Sequence, residues 1–311
     1  MQVIDNLSQA NILQDMVLTI GSFDGVHRGH QHLIVQILRE ARQKDLIAGL
    51  LTFYPHPAAV LAPNNAPLNL TTPGEKIALL EKIGLDLVAI LPFNRQMART
   101  SARDFIVAIK QHLRLKELWI GPDFALGQNR KGTLPVLHKL GQELGFSVTV
   151  VEPFLWESKP ISSTRIRRHL AAGQVRQATV LLGRYPSLSG EVVPGVRRGH
   201  RLGIPTANLA VRPDRAIPPN GVYAVYAVLG QERYPGVANV GVRPSFDNGE
   251  RSVETHILNF DEDIYGIDLV VEFVERLRDE KRFSNADELI AQIARDIEQA
   301  RHILTGTPYS S

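Results

Sequence analysis

The chain of 311 residues contains no cysteine. This absence excludes disulfide bonds, thiolate catalysis and cysteine-based metal sites, and it indicates a reducing compartment only weakly. No apolar run reaches the roughly 18 residues that a bilayer-spanning helix needs, and the first ten residues lack the basic start of a secretory signal. We therefore expect a soluble, cytoplasmic protein without a membrane partner.

An excess of charge of either sign is also missing, since 35 basic residues face 32 acidic ones for a net charge of +3. Such a near balance does not by itself attract a polyanion, and aromatic residues make up only 6% of the chain. We therefore expect no nucleic-acid partner. Two short basic clusters, in 165–168 and 197–201, are compatible either with small phosphorylated ligands or with solvated charged faces.

The first half of the chain alternates short apolar runs with longer amphipathic stretches, from Met16 to about Val151. The predicted strands are "MVLTI", "LIAGLLTF", "LDLVAIL", "ELWI" and "FSVTVV", and the predicted helices are "HQHLIVQILREARQ", "PGEKIALLEKIG", "SARDFIVAIKQHL" and "LPVLHKLGQELG". This alternation predicts a parallel sheet covered on both faces. Two short helices, "STRIRRHLAAG" and "VRQATVLLG", are expected to follow.

The second half has a different pattern. After "GRYPSLSG", short stretches of alternating apolar and polar residues are separated by turn-forming residues. Strands at short spacing without intervening helices predict an antiparallel barrel or sandwich. We place the boundary near Arg184, which gives domains of residues 1–183 and 184–311, as expected for a chain of this length. The end of the chain predicts a long helix that packs on the barrel, with Ser284 as its cap.

The stretch "GSFDGVHRGH" carries the first chemical signal. Its glycines permit tight backbone paths between a strand and a helix start, where free amide groups and the positive end of the helix dipole favour an anion. His27 before the helix and His30 in its first turn can present imidazole donors to a phosphate. The alternative is a histidine pair of the surface or core, and a zinc site that adds His32 is a weaker alternative.

Two further stretches bear on phosphate binding. "ISSTRIR", residues 161–167, is either a phosphate-binding segment or a capped basic helix. "GQNRKGT", residues 127–133, has the glycine spacing of a P-loop, but it lacks the lysine after Gly132 and does not directly follow a strand. We therefore reject a P-loop there.

The later stretch "GHRLGIPTANLA" places Thr206 and Asn208 two residues apart. On an extended segment these side chains point the same way, and their hydroxyl and amide oxygens suit Mg²⁺, a hard cation that bridges phosphates. The alternative is a proline turn whose side chains bond back to the backbone.

These motifs together resemble a known family. "GSFDGVHRGH" and "ISSTRIR" are similar to the paired signature of nucleotidyltransferases, and "PTAN" is similar to the motif of riboflavin kinases. The stretches that extend the resemblance over nearly the whole chain are "TFYPHP", "GPDFALGQNRKG", "NGVYAVY", "ANVGVRPSF", "VETHILNF", "DIYG" and "LRDEKRF". The chain resembles the bifunctional bacterial riboflavin kinases and FMN adenylyltransferases, also called FAD synthetases.

The resemblance implies an α/β nucleotidyltransferase domain with a Rossmann-like parallel sheet, followed by a six-stranded antiparallel β-barrel kinase domain with a C-terminal helix. It implies two ATP-dependent reactions that use Mg²⁺: phosphorylation of riboflavin to FMN, and adenylylation of FMN to FAD with release of pyrophosphate. The implied partners are the small-molecule substrates ATP, riboflavin and FMN, and self-association stays open.

For the adenylyltransferase domain, the resemblance implies that His27 and His30 are catalytic and stabilise the ATP phosphates. The residues it implies for ATP binding are Gly21, Phe23, Asp24, His27, His30, Ser162, Thr164 and Arg167. The residues it implies on the flavin side are Asp123, Phe124 and Arg130. From the sequence alone, Phe124 is equally credible as a core residue.

For the kinase domain, the resemblance implies that Glu254 is the base that accepts a ribityl hydroxyl proton, although a strand glutamate facing solvent is the alternative. The residues it implies for ATP binding are Gly199, Gly203, Pro205, Thr206 and Asn208, of which Thr206 and Asn208 hold the metal. The implied flavin contacts are Arg278 and Phe283. Two residues depart from the family pattern, Ser245 in place of threonine and Asn259 in place of aspartate.

Two rival hypotheses remain at this stage. The N-terminal chemistry could serve another phosphorylated acceptor, because the histidine motif is shared among adenylyltransferases. The barrel could instead be a flavin-responsive binding module without catalysis, which predicts riboflavin binding without ATP consumption. A nucleic-acid regulator is the least favoured class.

Overall fold

A computed structural model describes residues 1–10, 12–195, 204–242 and 251–306. The residues group by mutual contact into two units, Met1–Ser163 and Thr164–Ser311. The boundary near Arg184 stays a prediction. Within the described residues, no helix combines the length and hydropathy that a bilayer crossing requires.

The first unit contains a six-stranded parallel sheet, which confirms the predicted α/β class. Its strands are β1 Gln2–Ile4, β2 Met16–Ile20, β3 Ile47–Tyr54, β4 Leu87–Pro92, β5 Leu115–Ile120 and β6 Ser147–Val150, in the order β1-β4-β3-β2-β5-β6. Its helices are α1 Arg28–Gln43, α2 Pro57–Leu61, α3 Pro73–Ile83, α4 Ala102–Leu113 and α5 Leu134–Leu144. A small hairpin of β7 Leu155–Trp156 and β8 Lys159–Pro160 follows.

Successive residues of β2 enter two different cores, because side chains alternate across a strand. Met16 and Leu18 pack into the cluster that includes α4, whereas Val17 packs into the cluster that includes α1. This burial on both faces explains the continuous apolar run of the strand. From β2 the chain passes to β3 and β4 on one side and later to β5 and β6 on the other, so the carboxyl ends of β2 and β5 flank a topological switch point, where ligands bind in such sheets.

The second unit is a closed antiparallel barrel, which decides between the barrel and the sandwich. Its strands are β9 Ser187–Val193, β10 Ala207–Leu209, β11 Gly221–Leu229, β12 Glu232–Val242, β13 Arg251–Ile257 and β14 Asp268–Arg278, in the closed order β10-β13-β12-β11-β14-β9. The predicted helices α6 Ser163–Ala171, α7 Val175–Leu182 and α8 Ala286–Thr305 are present. An ion pair between Arg176 and Glu275 joins α7 to β14.

Helix α8 packs on the outer face of the barrel, as predicted. Ala300 and Leu304 share a buried cluster with Val222 and Val274. The prediction of Ser284 as the cap is wrong by one residue. The side chain of Asn285 accepts the hydrogen bond from Glu288 N at 2.8 Å, while the amide of Ser284 donates to the Glu288 carboxylate at 3.2 Å. Asparagine caps as well as serine does, so composition alone could not choose between the neighbours.

Candidate active sites

The loop between β2 and α1, residues 21–27, lies at the switch point and has an unusual backbone. Phe23, Gly25 and Val26 have φ values of 45°, 83° and 39°. Glycine adopts this region freely, whereas an aromatic or β-branched residue does so only where surrounding structure holds it. The surrounding structure therefore holds this loop in its strained conformation.

Asp24 is the centre of the hydrogen bonds that hold the loop. This residue is 4% exposed, and its carboxylate accepts from the amides of Leu70 at 2.9 Å and Thr71 at 3.2 Å. Thr71 Oγ1 in turn accepts from Gly25 N at 3.1 Å, and Ser163 Oγ donates to the Asp24 carbonyl at 2.8 Å. The structure therefore gives Asp24, which we expected to bind ATP, a role in shaping the loop.

The two histidines meet at the start of α1. His27 is the N-cap, and its Nδ1 accepts from His30 N at 3.3 Å. Since Nδ1 accepts this bond, Nε2 is the ring nitrogen that carries the proton and can donate. The two rings stack with centroids 3.6 Å apart and an interplanar angle of 15°. A Cβ at Gly29 would lie 3.2 Å from the His27 ring, so glycine keeps this corner open.

A cavity of about 490 Å³ opens beside the loop, between the ends of β2, β3 and β5. Its wall includes Gly21 and the predicted flavin-side residues Asp123, Phe124 and Arg130. Phe124 also packs against the core cluster that includes α4. It is therefore both a residue of the cavity wall and a residue that contacts the core. An Arg130 Nη2 donates to the Asp123 carbonyl at 3.1 Å, which fixes the turn that carries both residues.

Sequence reasoning missed other residues of the same wall, namely Phe53, His56, Phe93 and Phe105. Phe53 and His56 lie in "TFYPHP", at the carboxyl end of β3. His56 could have been predicted to line the site, because it is a polar residue that follows a parallel strand beside the switch point.

The "ISSTRIR" segment spans the point at which contacts divide the chain. Ser162 lies immediately before α6 in the first unit, whereas Thr164 and Arg167 lie in α6, which is grouped with the second unit. Thr164 and Arg167 are three residues apart on this helix and share one of its faces. Their roles in ATP binding stay predictions.

In the barrel, strand register aligns a row of polar residues. Asn208 of β10 pairs with Glu254 of β13, which pairs with Asn239 of β12. Directly paired residues of antiparallel strands project to the same face, and Thr206, two residues before Asn208, projects with them. The row therefore joins the predicted metal ligands to the predicted base, and Asn239 is a member that the sequence did not reveal.

This row faces a cavity of about 330 Å³ between the barrel and the first turns of α8. Glu254, Asn239, Arg278 and Phe283 all line it, so the predicted base and flavin contacts come together. The Arg278 guanidinium donates from Nε to both oxygens of the buried Asp296 carboxylate of α8 at 3.0 Å, and from Nη2 to one of them at 2.8 Å. It also lies 5.8 Å from the centre of the Phe283 ring.

A second cavity, of about 420 Å³, lies on the other side of the "PTAN" segment. Pro205 and Thr206 line it, and Thr206 lines the Glu254 cavity as well. His256, two residues after Glu254 on β13, fixes this segment because its Nδ1 donates to the Pro205 carbonyl at 2.8 Å. The segment is therefore a shared wall held from the strand that carries Glu254.

The donor set at Thr206 and Asn208 fits Mg²⁺. A hydroxyl oxygen and an amide oxygen are hard ligands, Asn208 is buried, and its neighbour in the row is a carboxylate. Gly195 packs directly against the Asn208 amide, where a Cβ would overlap it. Within the part of the chain that the structure describes, no three His, Asp or Glu side chains are grouped to hold a metal ion.

Gly199, Gly203 and the departure Ser245 lie outside the described residues. The other departure, Asn259, is exposed, has a φ of 56° and accepts from Arg301 Nη2 at 3.2 Å. Asparagine tolerates this backbone region better than most residues, so the substitution suits its turn.

Comparison with known proteins covers both units. The FAD synthetase family model matches residues 9–165, and the riboflavin kinase family model matches residues 182–304. The bifunctional riboflavin kinase/FMN adenylyltransferase of Escherichia coli strain K12 is 41% identical over 300 residues, covering 96% of this chain and 95% of that protein. The protein of the same description from Bacillus subtilis strain 168 is 36% identical over 289 residues, covering 91% of each chain.

A solved structure shares the whole fold. The crystal structure of a Streptococcus pneumoniae protein, described as a macrolide-efflux protein, matches with a TM-score of 0.88 at 33% identity, covering 96% of this chain and 98% of that one. The efflux description concerns that protein alone. On the family models and the full-length relatives, this chain belongs to the family of bifunctional riboflavin kinases/FMN adenylyltransferases.

Proposed function

We propose that this chain converts riboflavin to FAD in two ATP-dependent steps, with residues 184–311 making FMN and residues 1–183 joining AMP to it. The observation that carries the proposal is that each unit has a cavity beside the side chains expected to handle phosphate. The cavities of about 490 and 330 Å³ fall in the usual size range of small-molecule sites. With ATP, riboflavin and FMN as substrates, the proposal needs no nucleic acid or membrane and places the enzyme in the cytoplasm.

In the kinase step, the terminal ribityl hydroxyl of riboflavin attacks the γ-phosphorus of ATP. A hydroxyl is protonated at neutral pH, so Glu254 accepts its proton as the new P–O bond forms and ADP leaves. Arg278 and Phe283 contact riboflavin in the same cavity. The bonds from Arg278 to Asp296 hold this arginine in place for that contact.

The nucleotide of the kinase step lies on the other side of the "PTAN" segment. Thr206 lines both cavities, so a phosphate chain that passes it can reach from one to the other. Thr206 and Asn208 would hold Mg²⁺, which supplies charge neutralisation for the phosphates when bound. The apolar wall of the second cavity, with Ile257, Phe260 and Tyr265, suits the adenine ring.

In the adenylyl step, a phosphate oxygen of FMN attacks the α-phosphorus of ATP, and the bond to the β-phosphate breaks to release pyrophosphate. The second pKa of a phosphate monoester is about 6, so the nucleophile is already ionised and needs no base. The task of the site is to stabilise negative charge. The Nε2–H group of His27, the stacked His30 and the amides at the start of α1 are suited to this task.

A chromatographic time course of the purified protein with riboflavin, ATP and Mg²⁺ tests the proposal. We expect FMN to rise first and FAD to follow, with one ADP per FMN and one pyrophosphate per FAD. FMN without FAD indicates that the histidine corner is inactive or serves another acceptor. Binding of riboflavin without ATP consumption supports the non-catalytic binding module instead.

A further inference from the structure

A lysine is buried beneath the loop that carries the two histidines. Lys76 of α3 is 8% exposed, and its Nζ donates to the Ser22 carbonyl at 2.7 Å and lies 3.4 Å from Thr52 Oγ1. The Thr52 hydroxyl donates to the same Ser22 carbonyl at 3.0 Å. Burying a lysine costs free energy, so its presence here needs a compensating role.

The hydrogen bonds of Lys76 complete the support of the loop. The 70–76 segment holds the loop on one side of Phe23 through the Ser22 carbonyl and on the other side through the Asp24 carboxylate. Phe23 between them has the strained positive φ. A strained residue persists only where its neighbours are fixed, and Lys76 fixes one of the two neighbours.

The conformation of the loop affects the positions of both histidines. The Phe23 ring is buried, and its centroid lies 4.9 Å from that of the His30 ring. His27 follows Val26, the second non-glycine residue of the loop at positive φ. A shift at Ser22 therefore displaces the group that packs on one histidine and the backbone that carries the other.

We propose that Lys76 is a positioning residue of the adenylyltransferase site, whose charged ammonium group holds the Ser22 carbonyl and so fixes the loop that presents His27 and His30. This inference rests on the proposed adenylyltransferase function. None of the chemical motifs identified from the sequence includes Lys76. It acts on the reaction through the loop and does not line the flavin cavity.

The environment of Lys76 makes its charge sensitive to pH. Burial lowers the pKa of Lys76 to about 8, and the nearby Asp24 carboxylate offsets part of this effect. Two other titratable groups, Tyr54 and His56, line a small cavity together with Lys76. The carboxylate of Glu75, the preceding residue, accepts from the amide of Thr72, the N-cap of α3. As pH rises through about 8, Lys76 loses its charge and its hydrogen bond to the Ser22 carbonyl weakens.

The test compares the wild-type protein with Lys76→Met and with Lys82→Met, a matched change at an exposed position of α3. Both reactions are measured on each preparation. For Lys76→Met, we expect kcat of FMN adenylylation to fall at least about tenfold, KM for FMN to stay within about twofold, and riboflavin phosphorylation to be unchanged. Lys82→Met should match the wild type in all three.

A pH profile supplies a second readout. We expect wild-type kcat of adenylylation to fall between pH 7 and 9 with a midpoint of about 8, and the residual rate of Lys76→Met to show no such fall. A level wild-type profile, a Lys76→Met rate within about twofold of wild type, or equal loss of the kinase reaction in that variant would each overturn the inference. Wild-type protein that makes FMN but no FAD overturns the adenylyltransferase function itself, and the assignment with it.

Discussion

The two proposed phosphate-transfer sites of this chain are built in different ways. In the first unit, a short loop with two strained residues presents stacked imidazoles at a helix start. In the barrel, the side chains proposed to act in the kinase reaction stand in a row set by strand register, from Asn208 through Glu254 to Asn239. One site depends on backbone conformation and the other on side-chain alignment.

We attribute the difference to the chemistry of the two nucleophiles. An FMN phosphate arrives ionised, so its site needs donors and a fixed anion cradle, which the loop and the start of α1 provide. A ribityl hydroxyl arrives protonated, so its site needs a base at a defined distance from a metal-bound phosphate. Adjacent strands suit that second demand because hydrogen-bonded register sets the spacing of side chains on one face.

The largest effect is expected from replacing the histidine pair, which should remove FAD formation and leave riboflavin phosphorylation intact. The double change His27→Ser and His30→Ala keeps a helix cap and removes both imidazoles, so we expect FAD formation from FMN to fall on the order of 10⁴-fold. Riboflavin phosphorylation should stay at the wild-type rate. His138→Ala on the exposed face of α5 is the control, and separate assays with riboflavin and with FMN measure the effect.

If the double variant stays folded but loses both activities, the division of labour between the units is wrong. Thermal unfolding followed by circular dichroism separates that result from a loss of structure.

The reciprocal change is Glu254→Gln, which keeps the shape of the side chain and removes the base. We expect FMN formation to fall on the order of 10³-fold, in the range of general-base catalysis, while FAD formation from supplied FMN is unchanged. Glu298→Gln on the exposed face of α8 is the matched control. A kinase rate that survives in Glu254→Gln would show that the hydroxyl needs no base from this residue.

The predictability of the two sites differs for the same structural reason. The loop site was predictable in place because a strand, three glycines and two histidines are contiguous in sequence, and β2 and α1 formed as predicted. What holds the loop was not predictable, because the partners of Asp24 and Lys76 lie 24 to 54 residues away along the chain. These partners are Leu70, Thr71, Ser22 and Thr52.

In the barrel, the alternating apolar pattern predicted strands but could not say which strands pair. Asn239 therefore gave no signal, since its place beside Glu254 exists only once β12 and β13 are in register. Similarly, the choice between Ser284 and Asn285 as cap depends on local backbone geometry that composition does not determine.

His256 offers a smaller test of how register supports the kinase site. Its Nδ1 bond to the Pro205 carbonyl ties the "PTAN" segment to the strand of Glu254. We expect His256→Phe to lower kcat/KM for ATP in the kinase reaction about tenfold, because removing a residue that orients metal ligands typically costs 10- to 100-fold. His256→Asn, which keeps a donor near the Nδ1 position, should restore most of the loss.

The adenylyl reaction of both His256 variants serves as the internal control and should not change. Equal losses in His256→Phe and His256→Asn would indicate that the imidazole acts on substrate directly and does not act through the turn.

The smallest effect is expected at Asn259, where the chain departs from its family. The residue is exposed, outside the polar row, and its side chain already accepts from Arg301. Asn259→Asp converts that bond into a surface ion pair, which contributes only about 0–1 kcal/mol and is screened by salt. Kinase activity should therefore stay within about twofold of wild type, with a slight rise in unfolding temperature at low salt that disappears at high salt. A larger gain in kinase rate would mean that a carboxylate at this turn acts on the bound nucleotide, and the barrel site would then depend on a loop as the first site does.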